Sequence, residues 1–484
     1  MAIECHVSIH TLSGEMQDVR YEVPSYGVVA CFLTNLIFVA SGSGFLNFPF
    51  VVWHSGVVYL LLTIAVFAFL STATSMWVLE TLARTEGLMR IEENEKSGGA
   101  IDKSSPTWPF CLCEISSRNR YEFCDLAHIY FGRLASSAVA LVLISYLFLV
   151  FWISCIPAGT ALATVIPFSG DTLSKCASSD FRLAIHPDGS CWNSYAISIL
   201  MLVVVILFGF LFELGHLEVV QWVVGLMRLV ILIAIIVYSF FGSKSTQENM
   251  PWTRFDLTGW LKGVSVCSFY YLCCLNLPSI IQPLKDKSKM FSIIIATTIA
   301  LSLMYSIVGI TVAMRFGSKV TEFAAANWAD LTGAEHSTGL RILSYAVLLF
   351  PSFDTFWSGF TAVAILTNTL ESQFFVGKFT LADRAVCRIL VGIVSATCSI
   401  YITNMVTVIK IIACFVIIVA GLFPAALQLK SRVVWKRTLG KHGFPIGHRD
   451  TPYSSWFGHK YCVGACLICL LLIPVALIGG FITF

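Results

Sequence analysis

The sequence predicts an all-α, polytopic membrane protein with about eleven transmembrane helices, ten of which form a core of two inverted five-span repeats. The first observation is composition: 57% of the 484 residues are hydrophobic, 12% are charged, and the mean hydropathy is +0.81. Soluble domains do not have this balance. The second observation is a series of apolar segments long enough to cross a bilayer. The third is that the first and the sixth segments are both interrupted.

The apolar segments set the domain organisation. A polar tail (1–26) precedes a core (27–430) that contains spans one to ten and a charged loop (81–134). A basic loop (431–461) and an eleventh span (462–484) follow. The spans lie near 28–50, 57–80, 135–166, 194–212, 218–242, 263–283, 290–314, 341–366, 386–403, 407–429 and 462–483. Lys and Arg number 20 on one side and 7 on the other, which predicts a cytoplasmic amino terminus and an exoplasmic carboxyl terminus.

Residues 41–49, Ser-Gly-Ser-Gly-Phe-Leu-Asn-Phe-Pro, interrupt the first span. Glycine and proline are poor helix formers, and a backbone break inside a membrane must be satisfied by protein, water or ligand. Free amides around Gly42, Ser43 and Gly44 could hold a small anion such as a carboxylate. The alternative is a close helix crossing, in which glycine only lets two backbones approach. The motif alone leaves both interpretations open.

The second break lies in span six, where residues 268–278 read Ser-Phe-Tyr-Tyr-Leu-Cys-Cys-Leu-Asn-Leu-Pro and Pro283 follows. Proline inside a span frees a carbonyl and kinks the helix. Interrupted helices at matching positions of two halves indicate a transporter site near the bilayer midplane. Because five is an odd number, spans six to ten would be inverted relative to spans one to five.

Two charges lie deep in the predicted spans. Arg228 lies roughly 15 Å into span five, and Asp354 lies roughly 20 Å into span eight from the opposite face. Such charges usually face the bundle interior and pair, so we expect Arg228 and Asp354 to be neighbours or to share a cavity. The alternative is that Arg228 snorkels to an interface. Ser358 is included with this pair as a candidate ion-coupling residue.

The sequence argues against an enzyme. All ten histidines lie in loops or at span ends, whereas an intramembrane acyltransferase or metalloprotease would place histidine within the bilayer. The chain also lacks a P-loop, a dinucleotide fingerprint and a nucleophile elbow. We therefore expect no catalytic residues, no metal site, no cofactor and no nucleic-acid partner. The basic loops are expected to touch the headgroups of membrane lipids.

Several motifs resemble the amino acid/auxin permease family, part of the amino acid-polyamine-organocation superfamily. Residues 42–49 resemble its first-helix Gly-x-Gly-x-Leu-x-x-Pro, and residues 305–317 resemble its seventh helix. Residues 226–228, 277–283 and 349–353 are more similar to one branch, the orphan transmembrane protein 104 group. The resemblance runs from about residue 25 to 430 and implies a leucine-transporter-type core with one added span.

The resemblance also implies where a solute would bind. A substrate carboxylate would meet the unwound first helix, and the break in the sixth helix would contact the amino group or side chain. The candidate binding residues are Gly42, Ser43, Gly44, Phe45, Phe269, Tyr270, Cys273 and Asn276. Sodium-coupled members commonly carry Asn four residues before the first Gly, where this chain has Phe38, and this weakens the case for sodium.

The leading hypothesis is secondary transport of amino acids or similar small solutes by alternating access, coupled to protons through Asp354 or uncoupled. The alternative is a sensor with the same fold that binds an amino acid but moves little of it. The expected location is an endolysosomal, vacuolar or plasma membrane. Cys176 and Cys191 share one predicted exoplasmic loop. The sequence is compatible with a disulfide between them and with two free thiols.

Overall fold

Helices dominate the computed structural model of this chain. It describes residues 2–10, 16–24, 27–39, 43–96, 113, 115, 121–166, 190–211, 217–241, 249–272, 274–281, 284, 286–332, 336–375, 380–402, 405–442 and 451–482. The helices are α1 (Val28–Val39), α2 (Phe48–Ser55), α3 (Val57–Lys96), α4 (Phe123–Phe131), α5 (Arg133–Val165), α6 (Ser190–Leu211), α7 (Leu217–Phe241), α8 (Leu257–Tyr271), α9 (Leu277–Ile281), α10 (Met290–Phe316), α11 (Thr338–Leu370), α12 (Leu381–Tyr401), α13 (Met405–Val416), α14 (Phe423–Lys441) and α15 (Lys460–Ile482).

The amino-terminal tail contains a β-hairpin that was not expected from its polar composition. Strands β1 (Ala2–His10) and β2 (Met16–Pro24) pair antiparallel, with Ala2 opposite Pro24 and His10 opposite Met16. A signal was present in the sequence, because apolar and polar residues alternate along residues 2–10 with the period of a strand.

Eight helical stretches within the described residues are long and apolar enough to cross a membrane. They cover predicted spans two, three, five and seven to eleven. The other three predicted spans differ for a visible reason: spans one and six are each split into two helices, and the apolar part described for span four, Asn193–Leu207, is short. The chain is therefore a multi-pass membrane protein, and the count of eleven stays a prediction.

Two groups of helices pack closely within themselves, and their membership follows the predicted repeat. In the first group, which comprises spans one, two, six and seven, α2, α3, α8 and α10 pack against one another in a hydrophobic cluster that also includes residues of α5, α7, α11, α13, α14 and α15. A second cluster joins spans three, four, eight and nine, which are α5, α6, α11 and α12. In each group the first two members are separated from the last two by five spans. A repeat of five spans accounts for this pattern.

Helices extend into both segments that were assigned to charged loops. α3 continues to Lys96, and its charged end carries the i,i+4 ion pairs Arg90–Glu86 and Lys96–Glu92 at 3.4 and 3.0 Å. α14 continues to Lys441 after a π-helical turn at Ile417–Leu422. Charged side chains thus occupy helix ends that extend beyond the apolar parts of their spans.

Candidate functional site

The first helix break separates α1 from α2. α1 ends at Val39, and the segment Ser43–Asn47 forms a 3₁₀ turn before α2 begins. Pro49 lies in the first turn of α2, where the missing amide costs nothing because the first amides of a helix have no partner within it. The Gly-Ser-Gly-Phe motif therefore lies at an interruption between two half-helices.

The second break separates α8 from α9. α8 begins after Asp256, whose carboxylate accepts hydrogen bonds from the amides of Thr258 and Gly259 at 3.2 and 3.0 Å. This cap fixes the start of the helix. α8 ends at Tyr271, and the chain then passes through a 3₁₀ turn at Cys274–Asn276 into the short α9.

The predicted binding residues fall into three sets in the structure. Gly44, Phe45, Phe269 and Tyr270 are described with their side chains; Ser43 and Asn276 are described by their backbone; Gly42 and Cys273 lie outside the described residues. The contacts below therefore concern the first set and its neighbours.

The two breaks meet at Gly44 and Tyr270. The Tyr270 ring lies against the backbone of Gly44, where a β-carbon would sit 1.9 Å from Tyr270 Cε1. Asn47, at the end of the first break, donates from Nδ2 to the Tyr270 hydroxyl at 2.9 Å, and both side chains are buried. Glycine at position 44 is thus required by a close approach from the other broken helix.

Aromatic rings surround this contact. Phe48 stacks on Tyr305 of α10 with ring centroids 4.4 Å apart, and Phe269 lies 4.6 Å from Tyr270. Phe45 lies 5.9 Å from Phe350 of α11. Aromatic walls with a few polar groups are typical of small-molecule sites. The Asn47 amide and the Tyr270 hydroxyl supply polar groups within this cluster.

Helical periodicity explains why Arg228 faces the interior. On α7, Leu226, Val230 and Ile233 are exposed apolar side chains, as expected for a face in contact with lipid. Ile231 and Ile235 are buried on the opposite face, three and seven residues after Arg228. Arg228 belongs to that buried face and points away from the lipid.

Arg228 forms an ion pair with Asp354. The Arg228 Nη2 donates to Asp354 Oδ1, and the two side chains are 8% and 1% exposed. The expected juxtaposition of the two charges is therefore present, and Arg228 does not snorkel. Each charge compensates the other in a region where an isolated charge would be expensive.

The ion pair lies beside the helix breaks. Phe350, one turn before Asp354 on α11, contacts Phe45 of the first break, and the Asp354 carboxylate is near enough to Tyr270 to interact with it electrostatically. α11 also packs directly on the Ser43–Asn47 turn. The broken helices and the ion pair thus form one cluster, which we call the central site: Gly44, Phe45, Asn47, Tyr270, Arg228 and Asp354.

Hydroxyl groups on α11 fix Asp354 relative to α5. Ser352 donates to the carbonyl of Ala158 at 3.0 Å, and Thr355 donates to the carbonyl of Ser154 at 2.9 Å. These bonds lie on both sides of Asp354. Ser358, the third predicted coupling residue, donates to the Thr355 carbonyl at 3.5 Å within its own helix. The structure places Ser358 one turn beyond the ion pair.

A second buried charge network was not predicted. Glu80 and Arg84 on α3 form an ion pair at 2.8 Å with both side chains fully buried. Arg84 also donates to Gln428 Oε1 at 2.7 Å and to Ser431 Oγ at 3.1 Å, and both acceptors lie on α14. Gln428 Nε2 donates to Glu80 Oε2 at 2.6 Å. α3 and α14 are therefore joined by a hydrogen-bonded ring of charged and amide groups.

The segment before α15 closes this network. The Ser455 amide donates to Glu80 Oε1 at 3.0 Å, and a β-carbon at Gly458 would sit 2.6 Å from the same carboxylate. Arg432 donates to the Gly458 carbonyl at 2.7 Å, and Trp77 Nε1 donates to the Phe457 carbonyl at 2.8 Å. We call Glu80, Arg84, Gln428 and Ser455 the α3–α14 network. It anchors the chain leading to α15 onto the core.

The predicted disulfide cannot be placed among these contacts. Cys176 lies outside the described residues, and Cys191 is described only by its backbone within α6. The pairing stays a prediction, which mass spectrometry of the non-reduced protein would test.

Comparisons with known proteins agree with this architecture. The family model described as "Transmembrane amino acid transporter protein" matches residues 110–442. A curated relative, Transmembrane protein 104 of Pongo abelii, is 22% identical over 405 residues, covering 75% of this chain and 77% of the relative.

A solved structure shows the fold. The crystal structure of MhsT in complex with L-phenylalanine superposes with a TM-score of 0.52 at 12% sequence identity, covering 95% of this chain and 99% of MhsT. At that identity the likeness concerns the fold alone. It agrees with the expected leucine-transporter-type arrangement of broken first and sixth spans.

Proposed function

The chain belongs to the family of transmembrane amino acid transporter proteins, and we propose that it is a secondary active transporter for amino acids or similar small solutes. The observation that carries this proposal is the meeting of two broken helices at Gly44 and Tyr270 beside a buried ion pair. Discontinuous helices supply backbone amides and carbonyls for a solute inside a membrane. The MhsT structure with bound L-phenylalanine supports an amino-acid-like ligand.

We infer that the substrate binds at the first break, with its carboxylate on the backbone amides around Gly42, Ser43 and Gly44. Half-helix α2 begins immediately after this turn and directs its positive end toward it. Phe45, Phe269 and Tyr270 would then contact the rest of the solute, together with the chain around Cys273 and Asn276.

We propose further that Asp354 carries a coupling proton. Arg228 places a compensating positive charge beside this carboxylate. If the two side chains separate during the transport cycle, burial favours the neutral acid, so separation and proton uptake are linked. Ser358, one turn along α11, would lie on the same path. The proposed orientation keeps the amino terminus cytoplasmic, in an endolysosomal, vacuolar or plasma membrane.

Reconstitution tests the proposal directly. Purified protein in liposomes should accumulate a labelled amino acid above protein-free liposomes, and an inward proton gradient should increase the accumulation. The matched control is the Gly44→Val variant reconstituted at the same density, which should show no uptake. Saturable binding without flux would instead assign the chain to the sensor class, and absence of both across the standard amino acids would refute the proposed substrate class.

A further inference from the structure

Span ten contains a π-helical turn that the central site does not use. Residues Ile417–Leu422 form this turn between α13 and α14, and the Phe423 amide donates to the carbonyl of Ile418, five residues earlier. Single π-turns inside α-helices are rare and occur frequently at functional sites. The contacts of this turn therefore indicate what it holds in place.

A proline deprives one carbonyl of this turn of its usual donor. In a regular helix the carbonyl of Ala420 would accept a hydrogen bond from the amide of residue 424, which is a proline and has no amide hydrogen. The thiol of Cys274 donates to this carbonyl, with Sγ and O 3.3 Å apart, and both residues are buried. Because a buried carbonyl without a donor is costly, the second helix break supplies a bond that Pro424 cannot.

Cys274 belongs to the part of the second break that is expected to contact the solute. It begins the 3₁₀ turn Cys274–Asn276 between α8 and α9, and this turn packs on the π-turn. Of the candidate binding residues, Cys273 directly precedes Cys274 and Asn276 ends the turn. A bond that fixes the chain at residue 274 therefore also fixes the position of these two neighbours.

The π-turn is itself packed against α15. A β-carbon at Gly421 would sit 2.8 Å from Leu470 Cδ2, and the Leu470 side chain is fully buried. Glycine permits this close approach. Beyond the turn, α14 is joined to α3 by the α3–α14 network. The Ala420 carbonyl thus belongs to a packed part of the bundle, which gives the second break a fixed point of attachment.

We propose that Cys274 is a positioning residue of the substrate site, which holds the second break against the π-turn of span ten through the Ala420 carbonyl. The thiol acts on the solute through the backbone of its neighbours and not by contact. This inference rests on the proposed function, because it concerns the same site. The alternative is that Cys274 only fills space. Serine and valine separate the two roles, because serine keeps a donor whereas valine keeps an apolar side chain and has no donor.

Two measurements on the purified full chain in nanodiscs test this role. The first is the dissociation constant of the labelled amino acid that the wild type accumulates most in the liposome assay. The second is hydrogen exchange of the amides of residues 274–281, which needs no ligand. Cys274→Val should raise the dissociation constant about threefold and increase the exchange, because one hydrogen bond contributes modestly to the bound conformation. Cys274→Ser should stay near the wild type in both measurements.

A double-mutant cycle tests the part played by Pro424. Pro424→Ala gives the Ala420 carbonyl a donor in its own helix, so Cys274→Val should lower the unfolding midpoint less in that background than in the wild type. The control is Cys414→Val on α13, a half-buried cysteine whose thiol makes no hydrogen bond among the described residues. It should leave the dissociation constant and the exchange of residues 274–281 unchanged.

Three results would overturn the proposal: Cys274→Val that matches the wild type, Cys274→Ser that loses as much affinity and protection as Cys274→Val, or an additive cycle. If Cys274→Val does not fold, Cys274→Ala takes its place and is compared with Cys274→Ser. A wild type that binds none of the standard amino acids would refute the proposed substrate class instead. Exchange and the cycle would still decide whether Cys274 holds the second break.

Discussion

Tyr270 packs so closely on Gly44 that the two broken helices leave no room for a side chain between them. A β-carbon on residue 44 would lie 1.9 Å from Cε1 and 2.2 Å from Cζ of the Tyr270 ring. Tyr270 is buried and its hydroxyl is held by Asn47, so the ring cannot move aside without breaking that bond. The relative position of the two half-helix pairs therefore depends on this contact.

Substitution of Gly44 should force the first-span break and the sixth-span break apart. Gly44→Ala and Gly44→Val should abolish substrate binding while the protein still inserts, because the new side chain displaces Tyr270. Binding of a labelled amino acid to purified protein measures this. Gly339→Ala is the control, since no atom lies within 4 Å of the added carbon there. Wild-type binding by both Gly44 variants would place the substrate elsewhere. Gly42→Val carries the same prediction from the sequence motif.

The hydrogen bond between Asn47 and Tyr270 should contribute measurably to stability. Tyr270→Phe leaves the Asn47 amide buried without its acceptor, at a cost of about 1–3 kcal/mol. Asn47→Leu combined with Tyr270→Phe removes both partners, and the loss should be smaller than the sum of the single losses. Denaturant unfolding of the four proteins gives the coupling energy. A coupling near zero would mean that the bond does not join the breaks.

Sequence patterns located the breaks but not the contact between them. Glycine and proline inside apolar runs mark a broken helix locally, which is why both interruptions were predicted. The approach of Tyr270 to Gly44 joins residues 226 positions apart and depends on the packing of whole helices. The depth of a residue along a span can also be estimated from sequence. The similar depths of Arg228 and Asp354 were enough to predict that the two side chains are neighbours.

The α3–α14 network shows what local patterns leave out. Glu80 and Arg84 lie where span two was expected to end, a region in which charges are ordinarily solvated. Their burial depends on α14, whose Gln428 is 344 positions after Arg84. One signal was available in the sequence. Glu80 and Arg84 are spaced i,i+4, as in an ion pair, and large apolar residues (Trp77, Leu79 and Leu82) lie in the same helical turns.

Removing one partner of the Arg228–Asp354 ion pair should lower stability more than removing both partners. Arg228→Ala leaves Asp354 buried without its cation, at a cost of about 3–5 kcal/mol. The double variant Arg228→Met with Asp354→Leu should recover folding relative to Arg228→Ala, though not proton-coupled transport. Asp354→Asn should uncouple uptake from a pH gradient and leave exchange intact. Unfolding midpoints and liposome assays distinguish these outcomes.

A half-exposed ion pair in the same molecule is the control for that series. Arg384 contacts Glu371 at 2.6 Å, with side chains 43% and 16% exposed. Because solvent screens such pairs, Arg384→Ala should lower the free energy of unfolding by much less than Arg228→Ala does. If the Arg228 and Asp354 substitutions prove additive in stability, the pair is not coupled and Asp354 loses its proposed role.

Substitution within the α3–α14 network should lower stability more than substitution on the exposed surface of α3. Arg84→Ala leaves the Glu80 carboxylate buried, with Gln428 and Ser455 as its remaining partners, and we expect a loss of about 3–5 kcal/mol. Glu92→Ala, which breaks the exposed Lys96–Glu92 pair on α3, should change stability little. The two variants differ in burial and share the helix and the i,i+4 spacing.

Hydrogen exchange adds a structural readout: in Arg84→Ala the amides of residues 455–458 should lose protection, because Glu80 holds that segment against α3. Unchanged protection there, with stability lost, would show that the segment is held by Arg432 and Trp77 instead.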